Sequence, residues 1–270
     1  MQSVAIIIPI YKDKLTTFEA ISLKQCFAIL GNYQIIFICP KKMQFGTFHE
    51  KKKNDGEFIF LENKNFDSIT TYNHMLLSIW FYKLFSNYKY ILIHQLDSFV
   101  FKDELMYWVE KNYSYIGAPW IQANIGIEKL KVGNGGFSLR NIKDCISVLK
   151  SSKKIHSLKN YILRNKQSKK SLYWLRGIKH FIASDTFRTI HTNIFVNEDK
   201  IFGIAGYRLK FFKIPNEEIA LKFSFEKQPK KLYKNNNYNL PFGCHAWWTY
   251  DLEFFKPFIK EFGHQLNSIK

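Results

Sequence analysis

Apolar residues in this chain fall into short unbroken runs separated by stretches with three-and-four spacing. Such alternation predicts strands buried on both faces and joined by helices. Residues 4–11, Val-Ala-Ile-Ile-Ile-Pro-Ile-Tyr, form the first run, and 16–30 carry the spacing of a helix packed behind it. Runs at 34–39, stopped by Pro40, and at 57–61 predict the next two strands, with the polar residues 49–56 as a surface loop between them. From Ser68 to Phe85, Ile69, Tyr72, Met75, Leu76, Ile79, Trp80 and Leu84 recur three and four apart, which predicts one long helix capped at Ser68. That helix leads straight into a strand at 90–94. Further on, the pattern predicts a short helix at 103–109, a strand at 115–120 that stops at Pro119, and a helix at 142–149. A strand at 207–214, a helix at 217–225 and a polar loop from Lys227 complete it. The expectation is an α/β fold with a mostly parallel sheet flanked by helices, built from right-handed crossover units.

A strand buried on both faces has no use for a carboxylate, yet Asp97 directly follows the 90–94 run. In open α/β sheets ligands bind beyond the carboxyl ends of the strands, and an acid there can hold a divalent cation that clamps a diphosphate. A lone Asp after a strand also serves as a turn cap, so its company matters. Tyr72 and Asn73 fall at the same end of the sheet, near the start of their helix. Two adjacent carboxylates, Glu198 and Asp199, follow the apolar residues 194–196, and His245 sits among apolar and turn residues at 240–248, where a histidine taken singly is more often a hydrogen-bonded core residue than a ligand. Gly133, Gly135 and Gly136 surround Asn134 and allow backbone to approach something bulky, although the spacing is not that of a phosphate loop. Group transfer from a diphosphate-activated donor needs a cation for the leaving group and a base for the incoming hydroxyl. Asp97, the Glu198–Asp199 pair and His245 can supply them.

Charge narrows the partners. The formal net charge of +18 favours polyanions: nucleic acid, acidic lipid headgroups or phosphorylated substrates. Residues 150–179 hold ten lysines and arginines and no acid, mixed with aromatic and aliphatic residues. The stretch 172–182 has the character of a helix lying on an anionic membrane, and no nucleic-acid motif appears. No apolar run reaches 18 residues and no secretory leader pattern is present, which predicts a cytoplasmic protein, peripheral at the inner face of the inner membrane. Cys26, Cys39, Cys145 and Cys244 are scattered without metal or disulfide spacing and predict buried thiols.

The segments 90–101 (YILIHQLDSFVF), 115–120 (YIGAPW), 132–140 (VGNGGFSLR), 197–199 (NED), 218–226 (EIALKFSFE) and 241–247 (PFGCHAW) resemble, in order, the motifs of the DUF5672 family of bacterial glycosyltransferases. The resemblance implies a GT-A-like, Rossmann-type fold and a single domain over 1–270 with a basic helical insertion. Residues 1–130 would be the nucleotide-binding half and 131–250 the acceptor and catalytic half, including the basic segment 150–182. It further implies transfer of a sugar from a nucleotide-diphosphate sugar to a glycan or lipid-linked glycan, with inversion and with Mn²⁺ or Mg²⁺. Asp97 and His245 would be metal ligands, with Gln95 standing where such enzymes carry a first acid. Asp199 would be the base, with Glu198 orienting the acceptor. Ile8, Pro9, Ile10, Tyr11, Tyr72, Asn73, Gln95 and Leu96 would face the nucleotide. Gly133, Asn134, Gly135, Gly136 and Phe137, with Trp120 and Trp247, would line the donor-sugar and acceptor region. Three alternatives stay open: a retaining transferase, a sugar-nucleotide hydrolase on the same scaffold, and a non-catalytic basic protein that binds nucleic acid or an anionic membrane.

Overall fold

The computed structural model describes residues 2–125, 128–151, 162, 171–184, 187 and 197–266. Its strands, in chain order, are β1 (Gln2–Pro9), β2 (Gln34–Pro40), β3 (Glu57–Leu61), β4 (Tyr88–His94), β5 (Phe99–Val100), β6 (Tyr115–Ile116), β7 (Ala118–Ile125), β8 (Glu128–Gly133), β9 (Phe137–Asn141), β10 (Ser224–Phe225) and β11 (Gly243–Cys244). Six of them form the main sheet in the order β3-β2-β1-β4-β9-β6. The first four run parallel, and β9 is antiparallel to both β4 and β6. The fold is therefore α/β with a mostly parallel sheet, as the hydrophobic pattern predicts.

Each of the inner strands is buried on both sides because alternate residues feed different cores. Ala5, Ile7, Ile91 and Ile93 pack on one face with Phe81 and Phe202. Val4, Ile6, Ile8, Tyr90 and Leu92 pack on the other with Leu23 and Trp108. His94, at the end of β4, is the exception: it is fully buried, and among the described residues neither ring nitrogen finds a hydrogen-bond partner. Burial drives its pKa down to about 4, so the ring is neutral.

The strand order fixes where a ligand can enter. The chain steps outward from β1 to β2 and β3, then returns to place β4 on the other side of β1. Loops leaving the carboxyl ends of β1 and β4 thus diverge, and a crevice opens between them. A second, three-stranded sheet, β10-β11-β5, stands beside that crevice, with β11 parallel to β10 and antiparallel to β5.

Several elements depart from the pattern-based expectation. The long helix at 68–85 is two helices, Ile69–Leu76 and Ile79–Lys83, because the Ser78 hydroxyl caps the second by accepting from the Phe81 amide. Residues 118–125 and 128–133 are the antiparallel pair β7 and β8, which continues through Pro119 with a register shift between Pro119 and Ala123. The strand expected at 207–214 is absent; helix Glu198–Arg208 ends there and a turn follows, with Gly206 close against Ile214. The polar loops hold short helices, Thr47–Lys52 and Pro229–Asn235. Of the basic segment 150–182, residues 152–161 and 163–170 lie outside the described residues, as do the apolar residues 194–196.

Candidate active site

A cavity of about 430 Å³ occupies the crevice, lined by Pro9 and Tyr11 after β1, by Phe66, Ser68 and Tyr72, by Gln95, Leu96 and Asp97 after β4, and by Trp248. Its size falls within the range of roughly 300–1,000 Å³ usual for small-molecule sites. Pro9, Tyr11, Tyr72, Gln95, Leu96 and Asp97 from the sequence reading meet here. The exposed ring of Tyr11 and the half-buried ring of Trp248 offer apolar faces to a planar group.

Against two of the lining residues, Gln95 and Asp97, the small sheet delivers His245, which stands behind them and does not itself line the cavity. Its Nε2 lies 3.2 Å from Asp97 Oδ1 and 3.2 Å from Gln95 Oε1, while its Nδ1 lies 3.2 Å from Glu226 Oε1. Burial by itself would lower the pKa of His245, but Asp97 and Glu226 overcome it and hold it up at about 10. Burial would raise Asp97, and the His245 charge outweighs that, leaving its carboxyl below the usual value.

Among the described residues no three His, Cys, Asp or Glu side chains are grouped to hold a metal ion. The set at the cavity is one carboxylate, one imidazole and one amide oxygen. The 3.2 Å separations from Nε2 are an ion pair to Asp97 and a hydrogen bond to Gln95, and the three groups are ligand types a divalent cation takes, so the set would hold one once Nε2 gives up its proton.

The second half of the site hangs on the turn from β8 to β9. Asn134 adopts a left-handed backbone, with φ of 85°, and its side-chain oxygen accepts from the amides of Gly136 and Phe137. Gly136 lies flat against the His245 ring and Gly135 against Glu198: a Cβ at either would collide with Nε2 of His245 or Oε1 of Glu198. Glycine is required at both because of these close approaches. The Gly136 carbonyl accepts from the Gln95 amide and the Ser98 hydroxyl, and the Asn134 amide donates to Asp199 Oδ2 at 3.2 Å. One turn therefore ties Gln95, His245, Glu198 and Asp199 together, although they are far apart in the chain. Asp199 is half-buried, and burial with the neighbouring charges of Glu198 and Glu226 raises its pKa to about 7.

Other sequence-predicted residues stand elsewhere. Ile8 and Ile10 are fully buried in the core, so of the 8–11 stretch only Pro9 and Tyr11 reach the cavity. Asn73 is buried and accepts from the Glu198 amide at 2.7 Å, which fixes the start of helix Glu198–Arg208. Glu198 itself is buried in an ion pair with Arg140 at 2.8 Å, so it is not free to orient an acceptor. A pair this buried keeps its geometry, since leaving one charge unpaired costs about 3–5 kcal/mol. Phe137 is core, Gly133 packs on Trp120, and Trp247 is fully buried with its indole N–H donating to Ser22. Its neighbour Trp248 lines the cavity instead. Glu226 and Arg140 belong to the site without having been singled out by sequence. The signal available for Glu226 was the one that marked Asp97, an acid directly after a short apolar strand.

The sequence model of a family described as "Protein of unknown function (DUF5672)" matches residues 55–245. Among solved structures, the galactosyltransferase LgtC in complex with donor and acceptor sugar analogues is 13% identical, with 98% of this chain and 97% of that chain covered and a TM-score of 0.49. The apo form of mouse xyloside xylosyltransferase 1 is 10% identical, with 90% and 97% covered and a TM-score of 0.48. The glycosyltransferase GlyE of Streptococcus pneumoniae TIGR4 is 12% identical, with 97% and 63% covered and a TM-score of 0.47. No curated protein matches the chain in sequence.

Proposed function

The chain belongs to the DUF5672 family, and on that premise we propose that it is a glycosyltransferase that moves a sugar from a nucleotide-diphosphate donor to a glycan or lipid-linked glycan with inversion. The observation that carries this reading is that Gln95 and Asp97 line a cavity at the switch point of the sheet and both touch the His245 ring. These three side chains would hold Mn²⁺ or Mg²⁺, which when bound neutralises the charge of the leaving diphosphate. Tyr11 and Trp248 receive the nucleotide base, and the 134–136 turn, whose glycines admit the close approach of Glu198 and His245, holds those side chains in place beside the donor. Asp199 takes the proton of the acceptor hydroxyl, oriented by the amides of Asn134 and Lys200. A thermal-shift panel of nucleoside diphosphates tests the reading. At a hundred times its dissociation constant the correct nucleotide contributes about 2.7 kcal/mol, a rise of roughly 5–10 °C for a chain of this size, and only with Mn²⁺ present. No shift with any nucleotide, with or without metal, would discard the proposal.

The acceptor side of the reading includes an anionic membrane surface. Leu172, Trp174, Leu175 and Ile182 are exposed on and beside helix Tyr173–Ser184, together with Arg176 and Lys179. No helix among the described residues is long and apolar enough to cross a membrane. An apolar and basic outer face on a chain of net charge +18 suits anionic headgroups. The protein is expected to co-sediment with phosphatidylglycerol vesicles and not with phosphatidylcholine vesicles, and to lose that preference in Leu175→Ser/Ile182→Ser. Equal partition between the two vesicle types refutes it.

A further inference from the structure

The three-stranded sheet explains how Glu226 reaches His245. Strands β10 and β11 are parallel and paired in step, Ser224 with Gly243 and Phe225 with Cys244. The residues that follow each strand, Glu226 and His245, therefore leave the sheet side by side, and the His245 amide donates to the Phe225 carbonyl at 2.9 Å to hold them there. On the far side of β11, Cys244 pairs with Phe99, which brings the preceding Asp97 to the same end. The His245 ring thus stands between two carboxylates, Glu226 at Nδ1 and Asp97 at Nε2.

The two acids differ in surroundings. The Asp97 side chain is 30% exposed and faces the cavity, whereas that of Glu226 is 11% exposed and is not among the cavity-lining residues. Among the described residues no lysine or arginine forms an ion pair with Glu226. The partner of this buried carboxylate is therefore the His245 ring itself. Imidazoles that ligate metals commonly donate their other ring N–H to a carboxylate, which fixes the tautomer and ring orientation and makes the ligating nitrogen more basic.

We propose that Glu226 is the positioning residue that makes His245 a metal ligand: its carboxylate holds Nδ1–H, so that Nε2 is presented to the cation beside Asp97 and Gln95. This rests on the reading of Gln95, Asp97 and His245 as a cation site. The role is separable from packing, because glutamine keeps an oxygen that accepts from Nδ1–H while alanine keeps nothing.

The test is Mn²⁺ binding to the purified protein, read from the EPR signal of free Mn²⁺, with and without a nucleoside diphosphate. In Glu226→Ala the affinity for Mn²⁺ should fall about 10–100-fold, and in Glu226→Gln by clearly less. In parallel, ¹⁵N spectra of the imidazole with Mg²⁺ bound should show a hydrogen-bonded Nδ1–H in the wild type and in Glu226→Gln that is lost in Glu226→Ala. Near-UV circular dichroism identical to wild type confirms that the variants are folded. Wild-type Mn²⁺ affinity in a folded Glu226→Ala protein would overturn the role of Glu226 and leave the cation site standing. A wild-type protein that binds no Mn²⁺ in either condition would remove the cation site itself, and the proposal with it.

Discussion

Replacing Asp97 by alanine is expected to abolish metal-dependent donor binding and sugar transfer together. Asp97 is the only carboxylate in the Gln95, Asp97 and His245 set, so its loss leaves no anionic ligand against a divalent cation. With no second acid to compensate, the expected loss in kcat/KM is on the order of 10³-fold or more, equivalent to about 4 kcal/mol of transition-state stabilisation. The fold should survive, because Asp97 is partly exposed and His245 keeps its contact with Glu226. Two measurements decide it: the Mn²⁺-dependent rise in Tm with nucleoside diphosphate, expected to vanish, and product formation from donor and acceptor. Retained transfer in Asp97→Ala would take Asp97 out of the reaction.

Asp199→Asn should separate binding from chemistry. Asn is nearly isosteric and one of its side-chain atoms still accepts from a neighbouring amide, while Asp199 is not among the residues that line the nucleotide cavity. Nucleotide binding is therefore expected to be unchanged, with transfer slowed about 10²–10⁴-fold through loss of the base. The pH profile gives a second signature. Burial and the charges of Glu198 and Glu226 disfavour ionised Asp199 and raise its pKa to about 7, so below that pH the group is mostly protonated and cannot accept a proton. Wild-type transfer should rise with pH, reach half its maximum near pH 7 and level off above it. An aspartate with the ordinary value of 3.8 would give a flat profile across that window. Wild-type turnover in Asp199→Asn would exclude Asp199 as the base.

The parts of the site that were legible in sequence share one physical cause. A strand buried on both faces must be apolar throughout, so the first acid after it stands out, and Asp97 after β4 was visible for that reason. The same contrast marks Glu226 after β10, but two residues of strand are too short a run to read from a single sequence. Trp247 and Trp248 are adjacent and chemically alike. Which of them faces the cavity depends on the phase of helix Trp247–Glu261 against Ser22, and that is a packing outcome.

Local pattern, then, determined the parallel strands β1 to β4, the end of the sheet at which the cavity opens and the standing-out of Asp97, His245 and Asp199 as polar residues on an apolar scaffold. It could not determine the pairing of Arg140 with Glu198, 58 residues apart, or the reuse of Glu198 as a buried anchor for the turn that carries Asn134 to Gly136. Burial, partner and backbone approach are set by residues distant in the chain. Only when β9 lies beside β4 and β10 beside β11 do Gly135, Gly136, His245 and the carboxylates of Asp97, Glu198, Asp199 and Glu226 come together, and that proximity, not the residue types, decides which acid is tied up in a buried ion pair with arginine.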